Sequence, residues 1–227
     1  MTRTPFDWHL PPELEARLSY DSYGPQRTIH EAEHLLIVLH RPPDRGARTR
    51  EHIVFLRTPE GKLLCNGQLD GQEQLDELLS SYRAIYQSCE EDYEKASNAA
   101  EILALIERLS PLNRSSTNLL ATLESGREVY KRDRIIIGAR DQANEISRGF
   151  DLLFADTKNA LDYQVAKSAE EQAAKSAEMI EAQHKLNILA AFTFPVMALA
   201  TLFGMNLTSG LEEMTPLIFW ASLGAGV

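Results

Sequence analysis

The chain has only two cysteines, Cys65 and Cys89. They form neither a metal-ligand nor a redox spacing, and they read as reduced core or surface thiols. Basic residues are not in excess: 23 Lys and Arg stand against 33 Asp and Glu, a formal net charge of −10. Nucleic acid, which favours a basic face, is therefore not an expected partner, whereas divalent cations suit the balance. There is no nucleophile elbow and no phosphate-binding glycine loop, so nothing announces an enzyme. Residues 1–10 hold no apolar targeting core. Two further absences are local. No Lys or Arg follows Lys185, and no ionisable residue occurs from 186 to 211.

That uncharged run exceeds the ~20 apolar residues that cross a bilayer as a helix, so a first transmembrane span is expected over residues 186–206. After Glu212 and Glu213 the sequence MTPLIFWASLGAGV is again uncharged. It is too short to span alone and reads as the truncated start of a second span at 216–227, the alternative being a short interfacial segment. Since all basic residues precede 186, the positive-inside rule places the N-terminal region in the cytoplasm and the loop 207–215 outside. The expectation is a multi-pass protein of the cell (inner) membrane, with the lipid bilayer as one partner.

Residues 1–34 read as irregular or loosely helical. LLIVLH (35–40) and HIVFLRT (52–58) have strand composition, and the turn PEGK (59–62) leads into KLLCN as a hairpin partner, giving three or four strands. From 72 to 109 the apolar residues fall at helical spacing; Ser110-Pro111 reads as a break, followed by a helix near 113–124. From Arg127 one long helix is expected to run into the membrane, ~70 residues and ~100 Å at about 1.5 Å per residue. Its stripe, Ile146, Phe150, Leu153, Thr157, Leu161, Val165, Ala169, Ala173, Ala177 and Ile180, passes from large residues to alanines, and AKSAE occurs twice. A helix of this length cannot bury such a stripe alone, which implies a homo-oligomer. The expected fold is thus an α+β membrane protein: a small cytoplasmic α/β and helical domain (1–126), a long stalk helix (127–185), and the first transmembrane helix.

HEAEH (30–34) matches the zinc-protease pattern, and His40 falls where a third ligand would stand. That chemistry needs His30 and His34 one helical turn apart and a glycine turn before the third ligand, where this chain has Ile37. LLIVL looks like a strand, so the segment reads as a polar lead-in to it and not as a metal site.

The uncharged run contains Gly204-Met205-Asn206, preceded by HKLNILAAFTFPVMALATLF. This resembles the CorA family of divalent-cation channels, whose signature is Gly-Met-Asn at the outer end of the first of two C-terminal spans. Lys185-Leu186, Ala190, Phe192 and Pro195 occupy places matching the family's inner helix, and the similarity covers about residues 183–206. Phe203 and Leu207 depart from the family's usual Tyr and Phe, and the cytoplasmic domain is smaller.

The resemblance implies a homo-oligomer, a pentamer in that family, that passes Mg²⁺, and Co²⁺ or Ni²⁺, as hydrated ions. Mg²⁺ gives up water reluctantly, so a ring of uncharged acceptors suits it. Asn206 would supply the side-chain carbonyl, Gly204 a tight turn and its own carbonyl, and Met205 packing behind the ring. Leu186, Phe194, Met197 and Leu202 are the pore-lining candidates, with Leu186 as the hydrophobic constriction that closes by dewetting. Glu212 and Glu213 would concentrate cations at the mouth. In the family, Mg²⁺ between cytoplasmic domains favours closure; Asp141, Glu145, Asp151 and Asp156 are the regulatory candidates here. No organic cofactor is implied. Two other readings stay open: a CorA-like effector gated by another ligand, and a non-conducting membrane-anchored coiled-coil scaffold.

Overall fold

The computed structural model describes residues 10–19, 23–44, 50–204, 221 and 224, without the side chains of 202–204. Its elements are α1 (Pro12–Glu15), β1 (Arg27–Glu31), β2 (His34–His40), β3 (His52–Arg57), β4 (Leu63–Cys65), α2 (Gly71–Lys95), α3 (Ala99–Val129) and α4 (Arg134–Gly204). The chain divides into two compact units, Met1–Val165 and Ala166–Val227.

In the first unit the four strands form an antiparallel meander in the order β1-β2-β3-β4. β2 is a continuous β-branched and leucine run because both its faces are covered. Alternation along the strands sorts two cores. Leu35, Ile37, Leu39, Ile53 and Phe55 pack against α2, α3 and the first turns of α4, while Leu36, Val38, Val54 and Leu56 pack beneath Leu14 of α1 and Tyr23.

HEAEH forms the β1–β2 hairpin. Ala32 and Glu33 both take positive φ (47° and 58°), Glu31 pairs with His34, and the turn separates the two histidines, with no helical turn present. Among the described residues no group of three metal-ligating side chains converges.

Three expectations change. A strand, β1, lies within the N-terminal stretch read as irregular; it holds one buried apolar residue, Ile29, and owes its order to pairing with β2. Pro111 does not end a helix: α3 runs through it, held by buried Leu105, Leu109, Leu112, Leu119 and Leu123. The real break lies at 96–98, where the Asn98 side-chain carbonyl accepts from the amides of Ala100 and Glu101, and Glu101 Oε2 accepts from the Ser97 amide.

α2 starts tightly against β4. A Cβ on Gly71 would lie 2.5 Å from the Leu63 carbonyl oxygen, a backbone atom that cannot swing away. Gly71→Ala is therefore expected to cost about 1–3 kcal/mol, read as a lower urea midpoint at unchanged slope. An unaltered midpoint would mean that the α2 start moves freely.

Candidate functional site

Asp133 caps α4. Its Oδ1 accepts from the amides of Ile135 (3.0 Å) and Ile136 (3.3 Å), and its carbonyl takes the Ile137 amide. Its Oδ2 receives Arg57 Nε of β3 at 2.7 Å, in a pair whose side chains are 14% and 11% exposed. The Arg57 guanidinium also lies 3.7 Å over the Tyr130 ring, and Tyr130 Oη donates to the Glu33 carbonyl at 2.6 Å. The start of the long helix is thus fastened to the strand and to the hairpin turn. Sequence reasoning missed this anchor, although an aspartate directly before Arg-Ile-Ile-Ile is an N-cap signal.

Along α4 the predicted stripe is buried at Ile146, Phe150, Leu153 and Thr157, with Phe150 edge-on to Tyr86 at 5.6 Å. From Val165 onward it lies open, including Ala169, Ala173, Ala177 and Ile180. Leu186, Phe194 and Met197 are 64%, 67% and 63% exposed, and Leu186 and Met197 share a face about three turns apart. The helix passes Pro195 unbroken and is described as far as Gly204. Met205, Asn206, Glu212 and Glu213 lie outside the described residues, as do the side chains of Leu202 and Gly204. Among the described residues no helix is long and apolar enough to cross a membrane. The uncharged stretch with described side chains, 186–201, is shorter than the ~20 residues a span needs.

Asp141, Glu145, Asp151 and Asp156 are all exposed on α4. Arg140 Nη1 donates to Asp141 at 2.9 Å, and Arg83 Nη2 is 3.8 Å from Glu145. Cys65 is buried, and burial together with Asp70 pushes its thiol up to about 11, so it stays protonated and inert at neutral pH.

The sequence matches no family model and no curated protein. Its fold is similar to that of solved structures. The ZntB cytoplasmic domain from Vibrio parahaemolyticus aligns with a TM-score of 0.53 at 12% identity, over 70% of this chain and 80% of that one. The full-length CmaX protein aligns at 0.50 and 14%, over 97% and 80%. The CorA magnesium transporter from Methanocaldococcus jannaschii aligns at 0.45 and 16%, over 94% and 78%. At such identities the first two establish a shared fold: a small sheet with helices, leading into one long helix.

Proposed function

We propose that the chain is a CorA-like channel for divalent cations, Mg²⁺ first and Co²⁺ or Ni²⁺ by the same chemistry, assembled as a homo-oligomer, a pentamer if it follows that family, in the cell membrane. One observation carries the reading. α4 is anchored at Asp133, loses its cover beyond Thr157, and arrives uncharged at Gly204, the first residue of Gly-Met-Asn. Exposed leucine, phenylalanine and methionine on an uncharged helix are stable only against lipid or against other copies of the same helix.

In this reading copies of α4 surround the pore. Asn206 receives the hydrated ion, Leu186 constricts the inner end, and Glu212 and Glu213 draw cations to the outer mouth. Asp141, Glu145, Asp151 and Asp156 are the acids at which cytoplasmic Mg²⁺ would favour closure; each would need partners from another copy.

The test is Mg²⁺ uptake into liposomes containing the full-length chain, with and without Mg²⁺ on the cytoplasmic face. Uptake above that of empty liposomes, reduced by cytoplasmic Mg²⁺, is the expected result. Assembled protein that passes no ion would instead make it a membrane scaffold. A cysteine placed at Ser209 is expected to react with an impermeant thiol reagent added outside intact cells; labelling from the cytoplasmic side alone would reverse the topology.

A further inference from the structure

His40 at the end of β2 and His52 at the start of β3 are cross-strand partners. Alternation sets them on the α1 face of the sheet, in line with Leu36, Val38, Val54 and Leu56. Their rings meet edge to face with centroids 4.7 Å apart. Both direct Nε2 at one acceptor, the Gly24 carbonyl, at 3.3 Å and 3.0 Å. A carbonyl only accepts, so each ring carries its hydrogen on Nε2 and leaves Nδ1 as its basic atom. Gly24 takes φ +80°, which glycine adopts without strain, and follows Tyr23, buried in the core of this face with its ring 6.1 Å from His52. The two imidazoles thereby tie the turn at 23–26 to the end of the sheet.

His40 is only 8% exposed, and its Nδ1 is buried without a hydrogen-bond partner. The charges that act on it, His52 and Arg50, are both positive or able to become so. From β1, the Arg27 guanidinium lies against Gly24, 3.7 Å from where a Cβ would stand. Glu51, the acid next to His52, is exposed and turned to Arg41 at 3.3 Å. α1 brings Glu13, Glu15 and, just beyond its end, Arg17, which pairs with Glu31. From the helical layer, Tyr82 Oη donates to the His40 main-chain carbonyl at 3.0 Å; burial pushes that phenol up to about 12, so it stays neutral.

We propose that this histidine pair is an acid-released clasp: a proton added at His40 Nδ1 sits on a buried atom that has no hydrogen-bond partner among the described residues, and the Gly24 turn undocks to relieve it. Burial first, then His52 and Arg50, holds His40 below its ordinary 6.5, against the opposing pull of the Gly24 bond. The released turn binds the proton more readily. The docked state therefore keeps its full stability above about pH 6.5 and loses it as pH falls below that value. The clasp stands independently of ion conduction.

Hydrogen exchange of the full-length chain in mild detergent, corrected for intrinsic chemical rates, reads this directly. Between pH 7.5 and 5.5 the peptide covering residues 23–40 is expected to exchange faster by about fivefold or more, while α3 peptides hold their corrected rates. His40→Gln keeps an N–H donor toward Gly24 but cannot titrate, so the acid response should flatten. Arg50→Gln, at a partly exposed position that leaves the fold intact, should shrink it by easing protonation. Equal corrected rates at the two pH values in the unaltered chain would overturn the clasp, as would an undiminished acid response in His40→Gln.

Discussion

Mg²⁺ uptake into liposomes carrying the Asn206→Leu chain is expected to fall to that of empty liposomes, with the oligomer intact. Leucine nearly preserves the side-chain size but removes the amide oxygen, and a ring of such oxygens is the only side-chain acceptor set proposed within Gly-Met-Asn. A hydrated Mg²⁺ arriving there would meet hydrocarbon, and its tightly held water shell would lose its hydrogen-bond partners. Assembly should survive, because a helix-end asparagine is worth only about 1 kcal/mol. Asn206→Asp separates the acceptor from its charge: the carboxylate binds cations more strongly and slows their departure, so uptake should saturate at a lower rate without vanishing. Normal uptake by a correctly assembled leucine variant would reduce Gly-Met-Asn to a helix ending and remove the channel reading.

Asp133→Leu is expected to cost about 3–5 kcal/mol of the first unit's stability, because it leaves Arg57 as a buried cation without its counter-charge. About 1 kcal/mol more goes with the cap of α4, since the Ile135 and Ile136 amides lose their acceptor. The Tyr130 ring 3.7 Å beneath the guanidinium softens the loss without replacing a carboxylate. Replacing both partners, Arg57→Met with Asp133→Leu, should recover most of the difference, as apolar substitutes for a buried pair commonly do. Urea unfolding followed by circular dichroism measures all three. A single variant as stable as the parent chain would show that solvent reaches the pair freely. If the single variant folds, its ion uptake also reports whether the fastening of α4 matters at the far end of the helix.

Local signals carried well where the physics is local. β2, β3 and β4 were legible because β-branched and apolar residues run together between turn residues, and the body of α4 was legible because its stripe keeps one period. That helix was nonetheless expected from Arg127 and starts at Arg134, after α3 has run on to Val129. β1 was not: RTIHE contains a single large apolar residue, and its order comes from backbone pairing with a strand that follows it. Pro111 misled because its lost hydrogen bond is a local cost, whereas the leucines that outweigh it act through α2 and the sheet. The break at 96–98 did leave a sign, an asparagine three residues before a glutamate, in a stretch without the glycine or proline that usually marks an interruption. Arg57 and Asp133 stand 76 residues apart, and no spacing rule joins them. The candidate pore residues were read from one contiguous motif, which is why they could be named without the fold. The His40–His52 clasp could not, since strand register alone brings the two rings together.

The burial of the long helix has a consequence for biogenesis. Among the described residues, every buried residue of both apolar cores lies before 154 in the chain. When synthesis reaches residue 165, the ribosome has supplied everything the first unit needs to fold. At about 5–20 residues per second, the stretch from there to the end of the uncharged run at 211 takes roughly 2–9 s more to make. That interval exceeds the sub-second folding of most small domains. The unit can therefore be complete before the uncharged run has fully emerged, and the exposed alanine stripe follows it. Order of manufacture is thus written along α4, with the part packed into the first unit made first and the exposed part made last.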